Sequence, residues 1–105
     1  MDKITFTKGI NAFVALQRSY DNIERALYGQ VVGEGAIQDC LWEVKESLVD
    51  GYLGDPVCLS EYAHEAGMSY IENCIYGNRL FNINEFDAEI SQALDDEAYD
   101  ALIDN

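Results

Sequence analysis

The chain has 105 residues and a formal net charge of −14, because 20 acidic side chains face only 6 Lys and Arg residues. Hydrophobic residues make up 49% of the chain, which excludes an acidic disordered chain and predicts a single folded domain over residues 1–105. The charge disfavours nucleic acid and anionic membranes as direct ligands and favours cationic partners instead.

At the N-terminus, residues 1–7 allow a short strand as one alternative, and a helix is predicted after them. The stretch "KITFT" (residues 3–7) alternates weakly between polar and apolar residues, which is typical of a short strand. From Ile10 to Leu27, apolar residues recur at steps of three and four, so most of them lie on one helix face. Thr7 is the predicted N-cap of this helix, and Gly29 is its predicted stop.

A second helix is predicted from about Ala36 to Asp50, followed by the glycine-containing stretch "DGYLGDP". Its apolar stripe consists of Ile37, Leu41, Val44 and Leu48. Asp55 and Pro56 suit the N-cap and the first position of a third helix, which is predicted to extend to Tyr76.

Gly67 inside the third helix is compatible with a break into two shorter helices, so four to five helices are predicted in all. Residues 79–83 are predicted either as a connector or as a second short strand that pairs with residues 3–7. Asn84 is the predicted N-cap of a final helix from Glu85 to about Ile103. The predicted fold is therefore all-α, a compact helical bundle with room for one short two-stranded pairing.

The acids of the closing stretch "FDAEISQALDDEAYDALIDN" are predicted to lie on an ordered helix. Phe86, Ile90, Ala93 and Leu94 follow helical steps, and this apolar stripe is absent from disordered acidic tails. Residues 1–45 carry six acids and five bases, whereas residues 46–105 carry fourteen acids and one base, so the two parts sum to −1 and −13. Nearly all of the net charge therefore belongs to the second part of the chain.

Many of these acids stand four residues apart, which corresponds to about 6 Å along a helix. Phosphates of one DNA strand rise by about 3.4 Å per nucleotide and are further apart through space, because they wind around the duplex. A row of carboxylates thus imitates a row of phosphates, and we predict a partner-binding acidic surface. Its residues are Glu61, Glu65, Glu72, Glu85, Asp87, Glu89, Asp95, Asp96, Glu97, Asp100 and Asp104.

In size, charge and helical order, the acidic part of the chain resembles the small DNA-mimic proteins of phages and mobile elements, which include anti-restriction and anti-CRISPR inhibitors. The resemblance implies that the chain inhibits a basic nucleic-acid-binding protein or effector complex by occupying its nucleic-acid site.

Seven tyrosines provide candidate anchors for a protein interface. Tyr52, Tyr76 and Tyr99 are the candidates, because they lie near predicted loops or among acids. An alternative hypothesis is a small structural or regulatory interaction module, for instance a homodimer that docks through apolar helix faces. In that case the acids would only maintain solubility.

No catalytic residue, cofactor or metal site is predicted, and the chain is not expected to be an enzyme. The EF-hand spacing of calcium ligands is absent, and His64 shows no ligand-pair spacing with any cysteine. Cys40, Cys58 and Cys74 are an odd number without a CxxC pair, which indicates reduced thiols and a cytoplasmic protein. Neither a signal peptide nor a membrane-spanning stretch is predicted.

Overall fold

The computed structural model describes residues 1–54 and 61–103, and the described residues form four α-helices. These are α1 (Lys3–Ala26), α2 (Glu34–Leu53), α3 (Glu61–Tyr76) and α4 (Ile83–Ile103). The prediction of an all-α fold of packed helices is confirmed. The predicted start of the third helix at Asp55 and Pro56 lies outside the described residues, as do Cys58 and Asp104.

The short N-terminal strand that the sequence allows does not form, because residues 3–7 make up the first turns of α1. Asp2 caps this helix, since its side chain accepts a hydrogen bond of 2.7 Å from the backbone N–H of Thr5. Asp2 therefore takes the place predicted for Thr7. Phe6 and Ile10 are both completely buried, so the helical spacing of the core residues extends to the start of the chain and outweighs the short alternation.

The second half of the predicted strand pair is also absent from the structure. Residues 79–82 form an irregular connector, and Ile83 already belongs to α4. Asn82 caps α4, because its side-chain oxygen accepts hydrogen bonds from the backbone N–H groups of Asn84 at 2.9 Å and Glu85 at 3.3 Å. The N-cap is thus two residues earlier than the predicted Asn84, and no strand pairing occurs among the described residues.

Successive helices run antiparallel. The α1–α2 connection contains Tyr28, Gly29 and Gly33 with positive φ angles of 53°, 77° and 76°, which place the chain in the left-handed region. α1 ends at Ala26, three residues before the predicted stop at Gly29.

The helix α3 packs against each of the other three and most extensively against α4.

Five aromatic rings form the centre of the core: Phe6, Tyr52, Tyr70, Phe81 and Phe86. The Phe86 ring is fully buried and lies within 6.0 Å of the other four, measured between ring centroids. Phe6 and Tyr52 stack face to face at 4.2 Å. This cluster connects the beginnings of α1 and α4 with the end of α2 and the middle of α3.

Gly67 does not break the third helix, because α3 is continuous from Glu61 to Tyr76. A Cβ atom at Gly67 would lie 3.2 Å from the Phe86 ring and 3.3 Å from Ile90. The glycine is therefore a close-packing position that lets α4 approach the backbone of α3.

Several residues of the predicted core stripes of α1 and α2 lie at the surface instead. Leu16, Ile37 and Val44 are 54%, 37% and 45% exposed, and Cys40 beside them is exposed as well. From their helical positions, these four side chains lie on the side of the α1–α2 pair that faces away from α3. We call them the α1–α2 apolar face.

Candidate functional site

Four predicted acids line up along one side of α4. At 3.6 residues per turn, Glu85, Glu89, Asp96 and Asp100 fall within about 60° of arc. All four are exposed. We call them the α4 acidic row.

The remaining acids of α4 point elsewhere. Asp87 lies on another flank, where its carboxylate forms an ion pair of 3.2 Å with Lys3. Asp95 is exposed on the outer side of the helix, and Glu97 is partly buried near the core-facing side. Of the seven acids predicted from Glu85 to Asp100, four therefore form the α4 acidic row, and the other three lie outside it.

A second row lies on α3. Glu61, Glu65 and Glu72 fall within about 40° of arc on this helix, and we call them the α3 acidic row. Glu61 and Glu65 are exposed, whereas Glu72 is half-buried and forms an ion pair of 3.0 Å with Lys45 of α2.

Tyrosines of α3 hold the α4 acidic row in place. The hydroxyl of Tyr70 donates a hydrogen bond of 2.8 Å to Glu85, and the hydroxyl of Tyr62 donates one of 2.8 Å to Asp100. Burial, followed by the hydrogen bond to Glu85, raises the pKa of Tyr70 to about 12, so this donor keeps its proton at neutral pH. Because both donors belong to α3, the α4 acidic row lies along the flank of α4 that meets α3.

Most of the few cations are already bound by other groups of the same chain. Lys3, Lys45 and Arg79 form ion pairs with Asp87, Glu72 and Glu85, respectively. Arg18 donates hydrogen bonds to the backbone carbonyls of Cys74 and Ile75 near the end of α3. Within residues 1–54 and 61–103, no ion pair therefore neutralises the remaining acids of the two rows, which are Glu61, Glu65, Glu89, Asp96 and Asp100.

The three candidate tyrosine anchors differ in their surroundings. Tyr52 stacks on Phe6 in the core, and its hydroxyl donates a hydrogen bond of 2.8 Å to Asp87. Burial, and then this hydrogen bond, raises the pKa of Tyr52 to about 12. Tyr76 and Tyr99 are 71% and 64% exposed, so they can contact a partner without a change in the core.

His64 lies at the contact between α2 and α3. Its Nε2 atom is 3.3 Å from Asp50 and 4.0 Å from Glu46, both on α2. Sequence reasoning missed this cluster, although the four-residue spacing of Glu46 and Asp50 already placed the two acids on one side of a helix. Cys40 and Cys74 are free thiols, and burial raises the pKa of the Cys74 thiol.

Comparisons with protein-family models, curated proteins and solved structures find no match to this chain. In the described ranges, none of the helices combines the length and hydrophobicity needed to cross a membrane.

Proposed function

We propose that this protein inhibits a nucleic-acid-binding protein by placing carboxylates where a cationic cleft would otherwise hold phosphates. The observation that carries the proposal is the pair of acidic rows on α3 and α4, in which five carboxylates have no ion pair among the described residues. The rows belong to helices that are docked on a common core, so the positions of the charges are set before the partner arrives.

The spacing within the rows supports this mode of binding. Glu85 and Glu89, like Asp96 and Asp100, are about 6 Å apart along the helix axis. Two like charges at this spacing lower the stability of a helix by roughly 0.2–0.5 kcal/mol per pair. An arrangement that is unfavourable for the isolated helix becomes favourable when Lys and Arg side chains of a partner surround it.

The partner implied by this chemistry is a protein with a basic groove. A host restriction nuclease or a CRISPR effector complex has such a groove, and an anti-defence protein of a phage would act on it in the host cytoplasm. Long-range attraction would accelerate association, and the affinity would fall as salt rises. Exposed Tyr76 and Tyr99 would supply apolar contact beside the charges.

We expect the double variant Glu89→Gln/Asp96→Asn to bind such a target about tenfold more weakly than wild type, because two row charges are lost. The measurement is displacement of a labelled DNA duplex from candidate nucleases and effector complexes at several salt concentrations. The variant should also show a shallower salt dependence.

Asp39→Asn/Glu43→Gln provides a matched control for this experiment, because it removes one Asp and one Glu at exposed positions of α2. Both double variants change the net charge equally, so only the location of the charge differs. Equal weakening by the two variants, or displacement that does not respond to salt, would refute the proposal of a localised mimic.

A homodimeric interaction module is the second candidate function, and the α1–α2 apolar face favours it. Residues 1–53 hold eight acids and five bases, a net charge of −3, whereas residues 54–105 hold twelve acids and one base, a net charge of −11. Two copies that meet through the α1–α2 apolar face would therefore place the less charged half of each chain at the interface. The acidic rows would stay on the outside of the dimer. A second copy of the chain is therefore the partner best suited to cover the α1–α2 apolar face.

For this dimer we expect that Leu16→Asp, or Val44→Asp, converts the protein to a monomer, because each variant buries an unpaired carboxylate at a two-fold interface. Sedimentation velocity over a hundredfold range of concentration measures the change. Leu94→Asp is the control, since Leu94 is 46% exposed on α4, away from the apolar face. A wild-type protein that stays monomeric throughout would rule out the dimer.

A further inference from the structure

Glu46, Asp50 and His64 bring two carboxylates and an imidazole together between α2 and α3. One ligand atom from each residue lies within 4.8 Å of the others. The His64 Nε2 atom is 3.3 Å from the Asp50 Oδ1 atom and 4.0 Å from the Glu46 Oε1 atom. This is the one such group of metal-ligating side chains in the part of the chain that the structure describes.

The backbone fixes this arrangement from two directions. Glu46 and Asp50 stand one turn apart on α2, so their side chains leave the helix on the same side. His64 comes from the first turn of α3, which packs antiparallel to α2. The ion pair of 3.0 Å between Lys45 and Glu72 connects the same two helices further along.

The Asp50 Oδ1 atom provides a second observation, independent of the clustering. It is shielded from solvent and has no hydrogen-bond partner in the described structure, although the imidazole nitrogen is close by. A buried carboxylate oxygen without a hydrogen-bond donor destabilises the folded state, because it has lost its hydration and no protein group replaces the lost hydrogen bonds. A cation between Asp50 and His64 would supply the missing interaction.

The donor set indicates which cation fits. Zinc binds histidine nitrogen and carboxylate oxygen at about 2.0–2.2 Å, so neighbouring ligands of a tetrahedral site lie about 3.4 Å apart. The separation of 3.3 Å between His64 and Asp50 is close to this value, and the separation of 4.0 Å between His64 and Glu46 is longer. Calcium and magnesium prefer sites made of oxygen alone, and the imidazole therefore favours a transition metal.

We propose that Glu46, Asp50 and His64 form a binding site for one divalent transition-metal ion of the Zn²⁺ class. Three protein ligands leave a fourth coordination position open to water or to a group from a partner. The bound ion would connect α2 to α3 and thereby stabilise the contact between these two helices. This site does not depend on the function proposed above.

Calorimetric titration with Zn²⁺ in about 0.15 M salt, which screens diffuse attraction to the acidic surface, tests the proposal. We expect one equivalent to bind, with loss of this binding in His64→Asn and in Glu46→Gln/Asp50→Asn. Asp39→Asn/Glu43→Gln removes an Asp and a Glu with the same spacing from the same helix and should leave the isotherm unchanged. Equal losses in the two double variants would show diffuse attraction by the acidic protein and overturn the site.

A direct readout keeps the test informative even if a variant fails to fold. His64 is the only histidine in the chain, so its imidazole signals in an NMR spectrum belong to one residue. Stoichiometric Zn²⁺ should shift these signals in the wild-type protein, and equal concentrations of Ca²⁺ or Mg²⁺ should not. Imidazole signals that stay unchanged at one equivalent of Zn²⁺ would overturn the proposal.

Discussion

Replacement of Phe86 by alanine is expected to lower the free energy of unfolding by about 3–5 kcal/mol, the usual cost of removing a buried phenylalanine. Phe86 is completely buried and contacts four other aromatic rings. Gly67 faces the same ring, so no side chain from that position can move in to fill the space. A domain of this size has about 5–15 kcal/mol of total stability, and the variant would therefore unfold readily.

Urea denaturation followed by circular dichroism measures this change, with Leu94→Ala as the control. Leu94 lies on the same helix but is 46% exposed, so its truncation should cost far less. Target binding should fall together with stability in Phe86→Ala, because the α4 acidic row keeps its geometry only while α4 is docked. A stability loss below about 1 kcal/mol would contradict the central position assigned to this ring.

The number and type of helices could be predicted from the sequence, whereas their starts could not. Thr7 and Asp2 are both chemically suited to cap α1, and local sequence does not choose between them. The choice depends on the burial of Phe6 against rings from α2, from α4 and from the connector between α3 and α4, which is a tertiary interaction. The burial of Phe6 also favours the helical conformation of residues 3–7, although their sequence alternates weakly.

Helical periodicity also overestimated the core. The stripes on α1 and α2 contain more apolar residues than four helices of this length bury, and the structure leaves Leu16, Ile37 and Val44 at the surface. Periodicity identifies the face that is apolar, but the width of that face exceeds the width of the contact with α3. The excess becomes the α1–α2 apolar face.

The α4 acidic row follows from spacing alone, because steps of four, eleven and fifteen residues from Glu85 return to nearly the same side of a helix. The pairing of individual acids does not follow from the sequence. Lys45 and Glu72 are 27 positions apart, and nothing local indicates that they meet. The contact of His64 with Glu46 and Asp50 likewise arises only when α2 and α3 pack together.

Glu72 is the predicted site residue whose role changes most, and its substitution should affect stability before binding. The Lys45 side chain is buried, with its ammonium 3.0 Å from Glu72 and 4.2 Å from the centre of the Trp42 ring. Loss of the carboxylate charge leaves a buried ammonium without its counter-ion. We expect Glu72→Gln to lower the free energy of unfolding by about 2–3 kcal/mol, somewhat below the cost for a fully buried pair, since Glu72 is partly exposed.

Glu65→Gln is the matched control, because Glu65 belongs to the same acidic row but is exposed and outside any ion pair of the described residues. Its substitution should change stability by no more than about 0.5 kcal/mol. Addition of Lys45→Met to Glu72→Gln should recover most of the lost stability, since the uncompensated charge is then gone. If Glu72→Gln is as stable as Glu65→Gln, the ion pair is not structural, and Glu72 returns to the acids available to a partner.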